Sequence, residues 1–278
     1  MVKAFSPAKL NLYLRVLNKR ADGYHNIITR MHKIDLMDTL EFREKGTRLV
    51  LKCPGFPQLE NEENIICRAV RSLQEETGLD AALEITLHKI IPTAAGLGGG
   101  SSNAATTLMT LNEMFALHLS RERLMTIGAR LGADVPFFIF GDRAWASGIG
   151  DHLESAGKLP PLWCVLVNPG VEISTREVYE GLKLGLTNHI INYSIPQLST
   201  VTEIGEGLHN DLEKVSFVFF PELKTIKERM LEMGAFGALM SGSGPTIYGL
   251  FDHGGIARRT VEVLGKNKNW FVKTVRFL

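Results

Sequence analysis

Between residues 96 and 100 the chain reads Gly-Leu-Gly-Gly-Gly, four glycines in five positions, and two serines follow at once. Glycine loses more freedom on ordering than any other residue, so a cluster of it restricts what can surround it. On its N-terminal side lies LEITLHKII, residues 83–91, whose apolar side chains alternate with the period of a strand. On its C-terminal side residues 102–115 carry the spacing of a helix. The glycines therefore form the loop of a strand–loop–helix unit, with a very permissive backbone at the mouth of the helix.

A second pattern stands near the start. Residues 9–16, KLNLYLRV, place Leu10, Leu12, Leu14 and Val16 on one face and Lys9, Asn11, Tyr13 and Arg15 on the other. That is a half-buried strand, with Lys9 and Asn11 pointing the same way about 7 Å apart. Strand-like runs follow at 27–36, 39–42 and 48–53. Helices are expected at 64–77, stopped by Gly78, and from a Ser120 cap to Leu131, stopped by Gly132. Short strands are expected after GADVPFF, to about residue 153. The small-residue and proline stretch SAGKLPP, 155–161, is the natural linker and divides the chain into 1–157 and 158–278. The second part reads as a buried strand at 162–167, helices at 175–184, 210–215, 221–233 and 256–264, strands flanking SGSGP, and a last strand at 270–277. Strands and helices segregate rather than alternate, which points to an α+β fold.

Composition narrows the function. A chain of 278 residues suits about two domains, and 45% hydrophobic and 22% charged residues are ordinary for a globular protein. A net charge of +1 without long runs of one sign excludes the usual footprint of a nucleic-acid binder. Cys53, Cys67 and Cys164 form no CxxC pair, so buried free thiols are expected rather than a disulfide framework or a zinc site. The N-terminus lacks the apolar segment of a signal peptide, so the sequon Asn192-Tyr193-Ser194 carries no weight. The uncharged stretch 233–251 is interrupted by SGSGP, which argues against a membrane span. A cytoplasmic protein without nucleic-acid or membrane partners is expected, as a monomer or homodimer.

The glycine loop has a chemical reading. The first turn of a helix exposes unpaired N–H groups and a partial positive charge, and glycines let the backbone approach an anion closely. Ser101 and Ser102 add hydroxyls for phosphate oxygens or Mg²⁺. Neither common template fits: no Lys follows the glycines as GxxxxGK[ST] requires, and the last glycine of GxGxxG is missing. A nucleotide phosphate site of another type is the expectation. Asp134, in GADVPFF, is placed either to accept a proton from a hydroxyl or to cap a helix. SGSGPT, residues 241–246, reads on its own as a turn.

Taken in order, PAKLNLYL, PTAAGLGGGSSNAA and MSGSGPTIYGLF resemble the three motifs of the GHMP kinase superfamily. Within it the chain is most similar to members acting on a cytidine-diphosphate-linked acceptor, through PAKLNLYLRVLNKRADGYHNI, GADVPFF and NPGVEIST. The resemblance runs from about residue 3 to residue 251. It implies an ATP-dependent kinase of non-mevalonate (MEP) isoprenoid synthesis that phosphorylates the 2-hydroxyl of a cytidine-diphosphate-linked methylerythritol, with Mg²⁺ accompanying ATP. It implies an N-terminal domain like the second domain of ribosomal protein S5 and a ferredoxin-like C-terminal domain.

Site roles follow from the same resemblance. Lys9 and Asp134 match the catalytic pair, with Asp134 as base and Lys9 as its charge partner. Pro92, Thr93, Ala94, Ala95, Gly96, Leu97, Gly98, Gly99, Gly100, Ser101 and Ser102 match the ATP phosphate loop, and Asn64 a position near the adenine. Asn11, Tyr24, His25 and Thr175 match substrate-binding positions. From the residues alone, Tyr24 and His25 read as an exposed turn tyrosine and a satisfied histidine. The metal ligand is not legible beyond the two serines. Competing readings are a kinase of another small alcohol, of phosphomevalonate or homoserine type, and a nucleotide-binding relative without activity.

Overall fold

The computed structural model describes residues 1–182, 196 and 198–278. The sequon at 192–194 and the end of the helix expected at 175–184 lie outside the described residues. The chain forms two compact units, Met1–Ala8 with Leu36–Thr93 and Gly98–Asp142, and Lys9–Asp35 with Ala94–Leu97 and Arg143–Leu278. The linker expected at 155–161 lies within the second unit.

Strand β1 (Val2–Lys19) and strand β2 (His25–Glu44) are long enough to contribute residues to both units. In the first unit, residues 39–44 of β2 pair antiparallel with β4 (Leu83–His88), and β3 (Val50–Lys52) adds parallel to β4. Four helices pack on one another: α1 (Ile65–Thr77), α2 (Gly99–Met114), α3 (Arg121–Leu131) and α4 (Val135–Phe140). Asn64 caps α1 by accepting from the Ile66 N–H at 2.9 Å, and Gly78 ends it in the left-handed conformation. Ser120 caps α3 as its position before the apolar run foretells.

In the second unit, residues 29–32 of β2 pair antiparallel with β5 (Arg143–Ser147), which pairs with β6 (His152–Ser155). A four-stranded antiparallel sheet runs in the order β11 (Phe271–Val275), β7 (Trp163–Asn168), β10 (Ile247–Phe251), β9 (Gly237–Met240). Helix α8 (Pro221–Glu232) packs on β9 and β10, and α9 (Gly254–Leu264) packs on β7 and β11. Val165, Val167, Ile226, Met230, Ile247 and Ala257 form the apolar core between them. Helices α5 (Thr175–Gly181), α6 (Val201–Gly207) and α7 (Glu213–Phe219), with the short strand β8 (His209–Asn210) beside β1, complete the described elements.

The α+β class holds, and several local expectations change. Strand β1 is buried on both faces along 9–14, because Lys9 and Asn11 are themselves covered and hydrogen-bonded. The runs at 27–36 and 39–42 are one strand. VPFFIF, for which no element was expected, is helix α4, begun by a proline in its first turn where no N–H is needed. Asn210 belongs to β8, and the helix expected at 210–215 starts at Glu213.

Candidate active site

The first unit holds the end of the glycine loop and the start of α2. Gly98 stands at the N-cap of α2 with φ +70°, and the helix begins at Gly99, three residues before the apolar spacing suggests. Gly98 makes no side-chain cap hydrogen bond, in contrast with the side-chain caps on α1 and α3. A Cβ on Gly99 would meet Ile91 Cγ2 at 3.0 Å and Lys89 Nζ at 3.2 Å.

Beneath the loop lies a buried ion pair that the sequence reading passes over. Lys89 donates to Asp38 at 2.7 Å, and the second oxygen of Asp38 accepts the N–H groups of Ile90 and Ile91 at 2.7 and 2.8 Å. Lys89 also donates to the carbonyl of Ile91. The entry to the glycine loop is thus clamped from both of its peptide faces. Asp38 falls between the runs read at 27–36 and 39–42, where only its charge marks it.

The two serines separate. Ser102 is wholly buried and its hydroxyl lies 2.8 Å from that of Ser6, while Ser101 is half-buried at the first turn. Asn64 uses both ends of its amide, accepting from Ile66 and donating to the carbonyl of Leu59 at 2.9 Å. Asp134 occupies the N-cap position of α4, yet its carboxylate makes no cap hydrogen bond. The helix-cap alternative for this residue is therefore set aside.

The second unit gathers Lys9 and Asn11 with the middle of the glycine loop. Lys9 and Asn11 are 4% and 2% exposed, and the Lys9 ammonium donates to Asn11 Oδ1. The backbone N–H of Lys9 donates to the carbonyl of Leu97 at 2.9 Å. Ser241 of the SGSGP turn donates its hydroxyl to the carbonyl of Gly96 at 2.9 Å and accepts the Asn11 N–H at 3.3 Å. Gly96 has φ +72°, and a Cβ there would drive into the carbonyl oxygen of Ser241. Only glycine fits. Ala94 adopts φ +50°, a left-handed backbone costing about 1 kcal/mol or more for a residue with a Cβ. The turn at 241–246 is thus a latch for the loop, which its composition alone does not reveal.

Tyr24 and His25 sit at the start of β2. Tyr24 is 61% exposed. The turn before it is shaped by the Asp22 carboxylate accepting the Tyr24 N–H at 3.1 Å. His25 is buried, and burial, with a smaller contribution from Lys19, lowers its pKa so that it is neutral at pH 7. Its ring lies 5.1 Å from that of Tyr179, an aromatic on α5 that sequence reading does not single out. Thr175 opens α5, exposed, with its hydroxyl 2.8 Å from that of Ser243. Among the described residues no group of three or more His, Cys, Asp or Glu could hold a metal ion, and no helix is long and apolar enough to cross a membrane.

Comparison with known proteins gives the family. Residues 64–142 match the model of the GHMP kinases N terminal domain, and residues 194–268 that of the GHMP kinases C terminal. The 4-diphosphocytidyl-2-C-methyl-D-erythritol kinase of Syntrophus aciditrophicus (strain SB) is 53% identical over 276 residues, covering 99% of each chain. A crystal structure of 4-(cytidine 5'-diphospho)-2C-methyl-D-erythritol kinase superposes with a TM-score of 0.81 at 34% identity, covering 99% of both chains. The mevalonate kinase of Methanococcus jannaschii, at TM-score 0.74 and 14% identity over 100% of this chain and 98% of its own, shares the fold. The chain belongs to the GHMP kinases and, within them, to the family of 4-diphosphocytidyl-2-C-methyl-D-erythritol kinases.

Proposed function

We propose that this chain transfers the γ-phosphoryl group of ATP to the 2-hydroxyl of 4-diphosphocytidyl-2-C-methyl-D-erythritol, giving the 2-phosphate and ADP in non-mevalonate isoprenoid synthesis. The observation that carries the phosphoryl-transfer reading is the start of α2, a helix capped by Gly98 with no side-chain cap hydrogen bond. The identity of the acceptor is supported by the full-length likeness to the 53% identical relative. Phosphoryl transfer asks a protein mainly for positioning and charge neutralisation.

In this reading residues 92–102 seat the phosphates and Asn64 lies toward the adenine. Asp134 accepts the proton of the substrate hydroxyl. Lys9 keeps that carboxylate ionised and offsets charge developing on the transferred group. Asn11, Tyr24, His25 and Thr175 contact the cytidine diphosphate substrate, with Tyr179 beside His25 offering a second aromatic face. The half-buried Ser101 hydroxyl would be the protein oxygen to hold a Mg²⁺ ion accompanying ATP. When bound, the ion neutralises phosphate charge. Residues 1–157 and 158–278 form the catalytic and substrate parts of a cytoplasmic enzyme.

The test is ATP-dependent phosphorylation of a panel comprising the cytidyl substrate, 2-C-methyl-D-erythritol 4-phosphate, phosphomevalonate and homoserine. The cytidyl compound is expected to be strongly preferred, with CMP or CDP competing against it and not against ATP. Base stacking is worth about 1–3 kcal/mol per ring, so Tyr24→Ala and His25→Ala are expected to weaken the cytidyl substrate and spare ATP. Preference for a mevalonate-type alcohol, or unchanged efficiency in both variants, overturns the assignment.

A further inference from the structure

Thr29 of β2 lies under the Lys9–Asn11 pair and is 1% exposed. Its hydroxyl has one proton, and that proton goes to the carbonyl of Tyr13 at 2.7 Å. Toward Asn11 it can therefore only accept, and it accepts from Asn11 Nδ2 at 2.8 Å. The amide nitrogen of Asn11 is thereby held on the Thr29 side and the amide oxygen on the side of the Lys9 ammonium. The two ends of an amide are nearly equal in shape, so packing alone does not select between them. The reversed amide would set N–H donors against an ammonium.

The rest of Asn11 is already fixed. Tyr248 donates to its carbonyl at 2.9 Å, and its N–H reaches Ser241 Oγ. The Ser241 proton goes to Gly96 at 2.9 Å, so its approach to Asn11 Oδ1 at 3.5 Å does not hold the amide. The orientation of that amide is set at its two ends, by Thr29 on the nitrogen and by the Lys9 ammonium on the oxygen.

We propose that Thr29 is a positioning residue for phosphoryl transfer: by committing its proton to the Tyr13 carbonyl it turns the Asn11 oxygen toward Lys9 and aims the ammonium. The proposal rests on the reading of Lys9 as the charge partner in catalysis. Thr29→Val keeps the branched shape and removes the hydroxyl, and Thr29→Ser keeps the hydroxyl. Thr29→Val is expected to lower kcat about tenfold or more, since small misplacements of a reacting group have effects of this size. KM for ATP is expected to stay within about twofold and Thr29→Ser to restore kcat, a split that loss of packing does not produce. In a Lys9→Ala background the valine change is expected to lower kcat no further.

Thermal unfolding verifies that each variant is folded, and Thr29→Cys, close in size and a poor donor, takes the place of a valine variant that does not fold. Parental kcat in folded Thr29→Val, failure of serine to rescue, or an equal loss in the Lys9→Ala background overturns the proposal while leaving the role of Lys9 intact. Parental kcat in Lys9→Ala itself overturns the reading of Lys9, and the proposal with it.

Discussion

Asp134 stands where a helix-capping carboxylate would be ordinary, and α4 begins without using it. The role proposed for it is that of the base in phosphoryl transfer. Asp134→Asn preserves size and most hydrogen bonding, so kcat is expected to fall about 10²–10⁴-fold with KM for ATP nearly unchanged. Steady-state kinetics decide this, and near-parental turnover excludes the role. If Lys9 serves by keeping that carboxylate charged, Lys9→Ala and Asp134→Asn remove one function between them. Their combined loss is then expected to be much smaller than the product of the single losses. Lys9 and Asn11 were legible as neighbours on one strand face because strand side chains repeat every second residue. Their burial was not, since no local pattern reports what covers a face.

Helix α2 and the loop before it hold the second level of organisation. A β-branched side chain at Gly99 is driven into Ile91 and the Lys89 ammonium, so Gly99→Val is expected to abolish ATP binding in a protein that still folds. Calorimetric titration with ATP, alongside circular dichroism of the same sample, measures both. The buried Asp38–Lys89 pair clamps the entry of this loop. Removing one member of a buried pair strands a charge and costs about 3–5 kcal/mol. Lys89→Met is therefore expected to lower the unfolding midpoint in denaturant and to weaken ATP binding together. A variant of unchanged stability would mean that the clamp is idle. The Ser120 cap of α3 was readable in sequence because a cap is a contact within three residues, whereas Asn64 was read as part of α1 rather than as its cap. The early start of α2 was not, because glycine carries no spacing signal.

The second unit is tied together over long chain separations, and its stability is expected to record this in acid. His32, on β2, accepts from Arg30 at 3.0 Å and lies edge-on to Phe277 near the C-terminus, while Arg30 donates to the carbonyl of Gly157 at 2.8 Å. Burial first, then the charges of Arg30 and Arg143, lowers the His32 pKa to about 3 from an ordinary value of 6.5. Between those values the unfolded chain binds a proton that the folded one refuses, so this contribution is complete above pH 6.5 and is lost progressively as pH falls toward 3. Thermal unfolding from pH 7 to pH 4 is expected to show a falling midpoint that flattens in His32→Gln; an equal slope in both proteins excludes the histidine. The sequence by itself determined what repeats or acts over a few residues: the strand and helix periods, the caps, the glycine loop and the three family motifs. Only the tertiary structure decided that Asp38 meets Lys89 across 51 positions and Ser241 meets Gly96 across 145, and that Thr29 orders the amide of Asn11. Such contacts depend on which strands become neighbours, and that is set by the folded topology rather than by the spacing of residues along the chain.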